Sequence, residues 1–116
     1  IINIIDQRVR SLTTDFTTYT LAKSGLWTLT RISAKALAPK IRVNAIGPGP
    51  TVKASFQTEK NYESQRKSTP LGRGSDKSDI SHTIKYILEN PSISGQLICV
   101  DGGQSLQSII DTSEME

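Results

Sequence analysis

Tyr19 and Lys23 stand four residues apart in the run Tyr19-Thr20-Leu21-Ala22-Lys23. On a helix that spacing puts a phenol and an ammonium on one face, a turn apart. An ammonium beside a phenol favours the phenolate, so Lys23 is expected to lower the Tyr19 pKa from its free value of roughly 10. A phenol tuned in this way exchanges a proton with a substrate near neutral pH. The pair alone is unspecific, because tyrosine and lysine meet at this spacing on many solvated helices. Residues further along the chain decide its meaning.

The elements that must carry the pair can be read from the apolar pattern. Ile1 to Ile5 reads as a buried strand, and Asp6 to Thr18 as a polar loop in which Asp15 or Thr17 could cap the next helix. From about Thr18 to Leu37, Leu21, Leu26, Leu29, Ile32, Ala36 and Leu37 recur at helical spacing until Pro39 stops them. Ile41 to Ile46 reads as a second strand, covered on both faces and so parallel. Gly47-Pro48-Gly49-Pro50 then forces a rigid turn. The polar stretch 51–74, with one short helix around Glu59 to Lys67, is long enough to serve as a substrate loop or lid. Ser75 or Asp76 caps a helix running to about Glu89, with Ile80, Ile84, Ile87 and Leu88 inward. Leu97 to Val100 is the third strand. Strand-helix-strand-helix-strand predicts an α/β fold, a right-handed parallel unit of the Rossmann-like, doubly wound kind. One domain is expected over residues 1–106, with an acidic tail at 107–116 that frays.

Composition narrows the function classes. With 116 residues, 35% hydrophobic and 22% charged, the chain is one ordinary globular domain. A net charge of +3 with scattered cations, and no interleaving of aromatic and basic residues, argues against a nucleic-acid partner. No apolar run approaches a membrane span. The single cysteine, Cys99, lies in a strand pattern and reads as a small core residue, which suits a reducing, cytoplasmic setting. No cluster of metal ligands is evident. His82 reads as a structural histidine and Trp27 as a packing or subunit-contact residue.

Beyond Lys23 come Arg42-Val43-Asn44-Ala45-Ile46-Gly47-Pro48-Gly49 and, near the C-terminus, Gly95-Gln96-Leu97-Ile98-Cys99-Val100-Asp101-Gly102-Gly103. These blocks, in this order after Tyr-x-x-x-Lys, resemble the second half of a short-chain dehydrogenase/reductase, from Ile1 to about Leu106. The resemblance implies that Tyr19 is the catalytic acid/base and that Lys23 holds the nicotinamide ribose. It also implies that the loop of Pro48 and Gly49 lies against the nicotinamide, where Gly47 and Gly49 leave room for it, and that Thr51 helps to hold the pyrophosphate. Asn44 and Asp101 belong to these blocks but read as structural, Asn44 tying backbone segments and Asp101 anchoring the Gly102-Gly103 turn. The glycine-rich turn that receives the pyrophosphate is expected upstream, in a half this chain does not contain.

Most members of that family place a serine thirteen residues before the tyrosine; here the position is Asp6. An ionised carboxylate accepts hydrogen bonds and donates none, so it polarises a carbonyl oxygen poorly. It suits a ring that presents N–H donors, or the delivery of a proton to tyrosine. By this departure the chain resembles the pteridine and dihydromonapterin/dihydrofolate reductases of the superfamily, with NADPH as expected cofactor and NADH left open, since its determinants lie upstream. Asp6 taken alone also reads as a turn cap. A generic carbonyl or 3-oxoacyl reductase is the second reading, and an inactive fragment the third. Apolar residues spread around helix 18–37, with the small residues Ser24, Gly25, Ala34 and Ala36, predict a homo-oligomer, dimer or tetramer, built through that helix.

Overall fold

The computed structural model describes residues 1–108. Three parallel strands, β1 (Ile2–Ile4), β2 (Asn44–Pro48) and β3 (Leu97–Val100), lie side by side in the order β1-β2-β3. Ile4 pairs with Ile46 and Gly47 with Cys99. Helix α1 (Thr17–Leu37) joins β1 to β2, and α2 (Glu59–Lys67) and α3 (Lys77–Glu89) lie between β2 and β3. The expected strand-helix-strand-helix-strand order is therefore present, with 3₁₀ turns at Gln7–Arg10 and Gln104–Ser108 added. The tail expected at 107–116 lies, beyond residue 108, outside the described residues.

The core runs along β2. Ala45 and Ile46 point to opposite faces and both are fully buried, so both faces of the strand are covered. Ile5, Ala45 and Leu97 form one cluster, against which Leu26 and Trp27 of α1 pack. Full burial of a side chain such as Ile46 contributes about 1.5–3 kcal/mol. The exposed Lys85–Glu89 pair, at 3.9 Å, belongs to a class worth about 0–1 kcal/mol. The central strand therefore outweighs the surface ion pairs. Asn44 is buried yet satisfied: its Nδ2 donates to Ile93 O at 2.9 Å and its Oδ1 accepts from Gln96 N–H at 3.0 Å. That is the tie between backbone segments that its residue type suggests.

Several expectations need correction. Strand β2 begins at Asn44, three residues after Ile41, because its neighbour β1 pairs only from Ile2, opposite Asn44. Gly47 and Pro48 are thus part of the strand, and Pro48 lies past the end of β1, where its missing N–H breaks no ladder. Neither Asp15 nor Thr17 caps α1. Its N-cap is Phe16, in the left-handed region at φ 56°, with no side-chain cap. The helix buries Thr20, Thr30 and Ala34 and turns Leu21, Leu29, Ile32 and Leu37 outward. Leu88 of α3 is likewise exposed, and Ile87 is the residue that α3 buries. Helix α2 spans the expected residues, capped by Thr58, whose hydroxyl accepts from Asn61 N–H at 3.1 Å.

Candidate active site

Asp6 follows the end of β1 and caps the turn Gln7–Arg10, its Oδ1 accepting from Arg8 N–H at 2.8 Å. That one bond fixes the carboxylate at the C-terminal edge of the sheet, where open α/β sheets bind ligands. Its other oxygen, Oδ2, accepts from Tyr19 Oη at 2.8 Å. One turn further along α1, Lys23 Nζ donates to Ile4 O at 3.2 Å. Deeper along the same seam, Asn3 Nδ2 donates to Thr30 Oγ1 at 3.0 Å. Helix and strand are therefore joined by polar contacts at three successive heights.

All three side chains face one open cleft of about 1420 Å³, with Pro48, Gly49 and Thr51 in its lining. Asp6, Tyr19, Lys23, Pro48, Gly49 and Thr51 are thus brought to one place, whereas Gly47 lies outside the lining, against Asp6, Gln7 and Cys99. Thr51 reaches it with its hydroxyl already engaged, donating to Gly49 O at 3.2 Å and paired with Ser75 Oγ. Gly49 has a reason of its own to lack a side chain: a Cβ there would come within 2.9 Å of Asp101. The Asp101 carboxylate accepts from Gly103 N–H and Ser105 N–H, which anchors the turn after β3. Cys99 lies half-buried behind the site, and burial pushes its thiol pKa up, against a nucleophilic role. His82 is exposed on α3. No group of metal-binding side chains exists among the described residues.

The electrostatics reverse one expectation. The Tyr19 pKa is not lowered; it is pushed up to about 12, first by burial, then by the hydrogen bond and negative charge of Asp6. The Arg8 charge pulls the other way but does not prevail. The Lys23 ammonium, 5.8 Å from the centre of the tyrosine ring, is committed to the Ile4 carbonyl. Tyr19 is 44% exposed and stays a protonated phenol facing the cleft. An ammonium has three donors, and the Ile4 carbonyl takes one, so Lys23 keeps donors for hydroxyls in the cleft.

Three residues of the site were not anticipated. Arg8 and Phe16 line the cleft beside Tyr19. Arg66 of α2 binds the Pro50, Gly74 and Ser75 carbonyls behind it. A cation two residues after Asp6 was the available signal for Arg8; an aromatic N-cap and a carbonyl-binding arginine leave no local pattern.

Residues 1–105 match the family model described as enoyl-(acyl carrier protein) reductase, and the chain belongs to this short-chain dehydrogenase/reductase family. It is 37% identical over 89 residues to the human 3-oxoacyl-[acyl-carrier-protein] reductase, covering 76% of this chain and 37% of that protein. With pteridine reductase 1 of Leishmania tarentolae it shares 34% identity over 110 residues, 91% of this chain and 38% of that protein. A crystal structure of FolM alternative dihydrofolate reductase 1 from Brucella suis in complex with NADP superposes with a TM-score of 0.88. That match has 50% identity and covers 90% of this chain and 42% of that one. The chain spans about two fifths of the length of these relatives.

Proposed function

We propose that the complete protein is an NADPH-dependent reductase of a dihydropterin or dihydrofolate. The reading is carried by the 2.8 Å bond between Tyr19 Oη and Asp6 Oδ2 in the cleft. The pteridine reductase and the NADP-bound alternative dihydrofolate reductase among the similar proteins support it. NADPH, when bound, supplies the hydride. Lys23 holds the nicotinamide ribose with the donors that Ile4 leaves free, Pro48 and Gly49 wall the nicotinamide, and Thr51 helps to hold the pyrophosphate. The segment 51–74 closes over the substrate as a lid.

The proton comes from Tyr19. Its raised pKa keeps Oη protonated at physiological pH, so it acts as an acid and not as a standing phenolate. Loss of that proton beside an ionised Asp6 would place two negative charges 2.8 Å apart. Asp6 therefore takes a proton from solvent and returns it to Oη as Oη protonates the ring nitrogen.

The second reading, a carbonyl or 3-oxoacyl reductase, is favoured by the human relative. Asp6→Ser separates the two. A dihydropterin reductase should lose most of its NADPH-dependent turnover on that change. A carbonyl reductase should keep or gain activity on a simple ketone, and that result would remove the pterin assignment.

We also propose that the outward face of α1 packs against its two-fold mate in a dimer or tetramer. Leu21, Leu29 and Ile32 stand exposed there, Ile32 at 62%, on a helix whose opposite face already meets the sheet. Light scattering of the complete protein should show an oligomer at micromolar concentration, weakened by Leu29→Lys. A monomer would mean that another part of the same polypeptide covers this face.

A further inference from the structure

The chemistry proposed above gives Arg8, a charged residue of the cleft, no contact with the substrate. Arg8 starts from the same turn as Asp6, its N–H held by the Asp6 carboxylate. Its guanidinium lies 5.2 Å from the centre of the Phe16 ring, and its Nη1 donates to Thr13 Oγ1 at 2.8 Å. Its Nε is shut off from water with no acceptor, and no ion pair among the described residues involves it. The cation–π position over the ring leaves Nη2 as a charged donor that can reach a carboxylate.

Phe16 is held at a local cost. It occupies the left-handed region, at φ 56°, which is disfavoured for a residue with a side chain. It also sits at an N-cap, where serine, aspartate or asparagine is favoured over an apolar residue. Yet Phe16 as a residue is 57% exposed and lines the cleft, so the core does not require it. Backbone strain of this kind collects at ligand sites. An exposed aromatic face with a half-buried cation beside it that makes no ion pair among the described residues is complementary to an aromatic ring that carries an anion.

We propose that Arg8 and Phe16 form a subsite for the anionic aromatic tail of a folate-type substrate, so that the protein prefers dihydrofolate to a dihydropterin without such a tail. This rests on the pterin reading of the site and selects between the substrates which that reading admits. Phe16 stacks on the benzoyl ring, and Arg8 binds a carboxylate of the attached glutamate. Asp6 and Tyr19 remain free to meet the pterin ring.

The test compares dihydrofolate with dihydrobiopterin in the complete protein. Arg8→Met should lower the ratio of kcat/KM for dihydrofolate to that for dihydrobiopterin by at least about tenfold, as expected for a lost charge-assisted hydrogen bond. Phe16→Ala should lower the ratio in the same direction, and Arg8→Lys should restore part of it. A ratio unchanged in both Arg8→Met and Phe16→Ala would overturn the proposal, whether the two activities fall together or not at all. So would an effect confined to KM for NADPH, which would put the guanidinium on the cofactor. If the unaltered protein reduces neither substrate, the pterin reading fails, and the subsite is judged by calorimetry with p-aminobenzoylglutamate. Binding that Arg8→Met abolishes would support the subsite, and no binding would end it.

Discussion

Tyr19→Phe in the complete protein should lower kcat for dihydropterin or dihydrofolate reduction by about 10²–10⁴-fold, the usual contribution of a positioned acid. KM should change little, because the substitution keeps the ring that lines the cleft and removes only Oη. A loss below tenfold would mean that another group delivers the proton. The same oxygen is accessible to titration. Its pKa stands near 12 against the ordinary 10.0, so between those values the folded protein keeps a proton that the unfolded chain has lost. That contribution to stability is fully present below pH 10 and disappears as pH rises through about 12. The phenolate absorbance difference between the unaltered protein and Tyr19→Phe should therefore develop near pH 12. Asp6→Asn should move it down only part of the way, since burial is the largest cause and remains. A midpoint at or below 10 in the unaltered protein would contradict the geometry described.

Arg66→Met should release the proposed lid. Helix α2 buries none of its residues, so hydrophobic packing cannot hold it in place. At its C-terminal end Gln107 Nε2 donates to Ser68 O at 2.8 Å, and along its length the main tie is one guanidinium, its side chain 20% exposed. Arg66 donates to Pro50 O at 2.8 Å, Ser75 O at 2.9 Å and Gly74 O at 3.4 Å, and it pairs with Asp76 at 2.9 Å. Removing it leaves three backbone carbonyls without this donor, each worth roughly 1–3 kcal/mol when unsatisfied and buried. Partial exposure and non-additivity bring the expected loss to about 3 kcal/mol, or local opening more than about 100-fold more frequent. Hydrogen exchange should therefore accelerate across residues 51–67 while the amides of β1, β2 and β3 stay protected. Equal acceleration in the sheet would show that Arg66 supports the whole domain.

Where a local rule sufficed, the sequence was enough to place an element. Asp76 and the Ile80/Ile84/Ile87 spacing located α3, and the apolar run Leu97–Val100 located β3, while the short helix expected around Glu59 to Lys67 acquires its Thr58 cap only in the structure. Tertiary geometry supplied the rest. Ile41 and Val43 look like strand residues, yet pairing waits for Asn44 because the neighbouring strand offers partners only from there. The leucines of α1 mark a helix correctly but not the face that meets the sheet, since Thr20 and Thr30 are buried by satisfying their hydroxyls on the helix itself. The Tyr19-Lys23 spacing located the site. It could not show that Lys23 would spend a hydrogen bond on Ile4 O, or that Asp6 would lie close enough to reverse the direction of the tyrosine's pKa shift.

The seam between β1 and α1 has a consequence for how such a protein can change. Asp6–Tyr19, Ile4–Lys23 and Asn3–Thr30 act as three rungs between rigid rails, and together they stop the helix from sliding along the strand. The spacing of Tyr19 and Asp6 is thus set along the floor of the cleft, where strand and helix meet. The outer walls come from the Arg8–Phe16 corner and the 51–74 segment. The shape of the cleft can be varied there by substitution while the Tyr19–Asp6 spacing stays as it is.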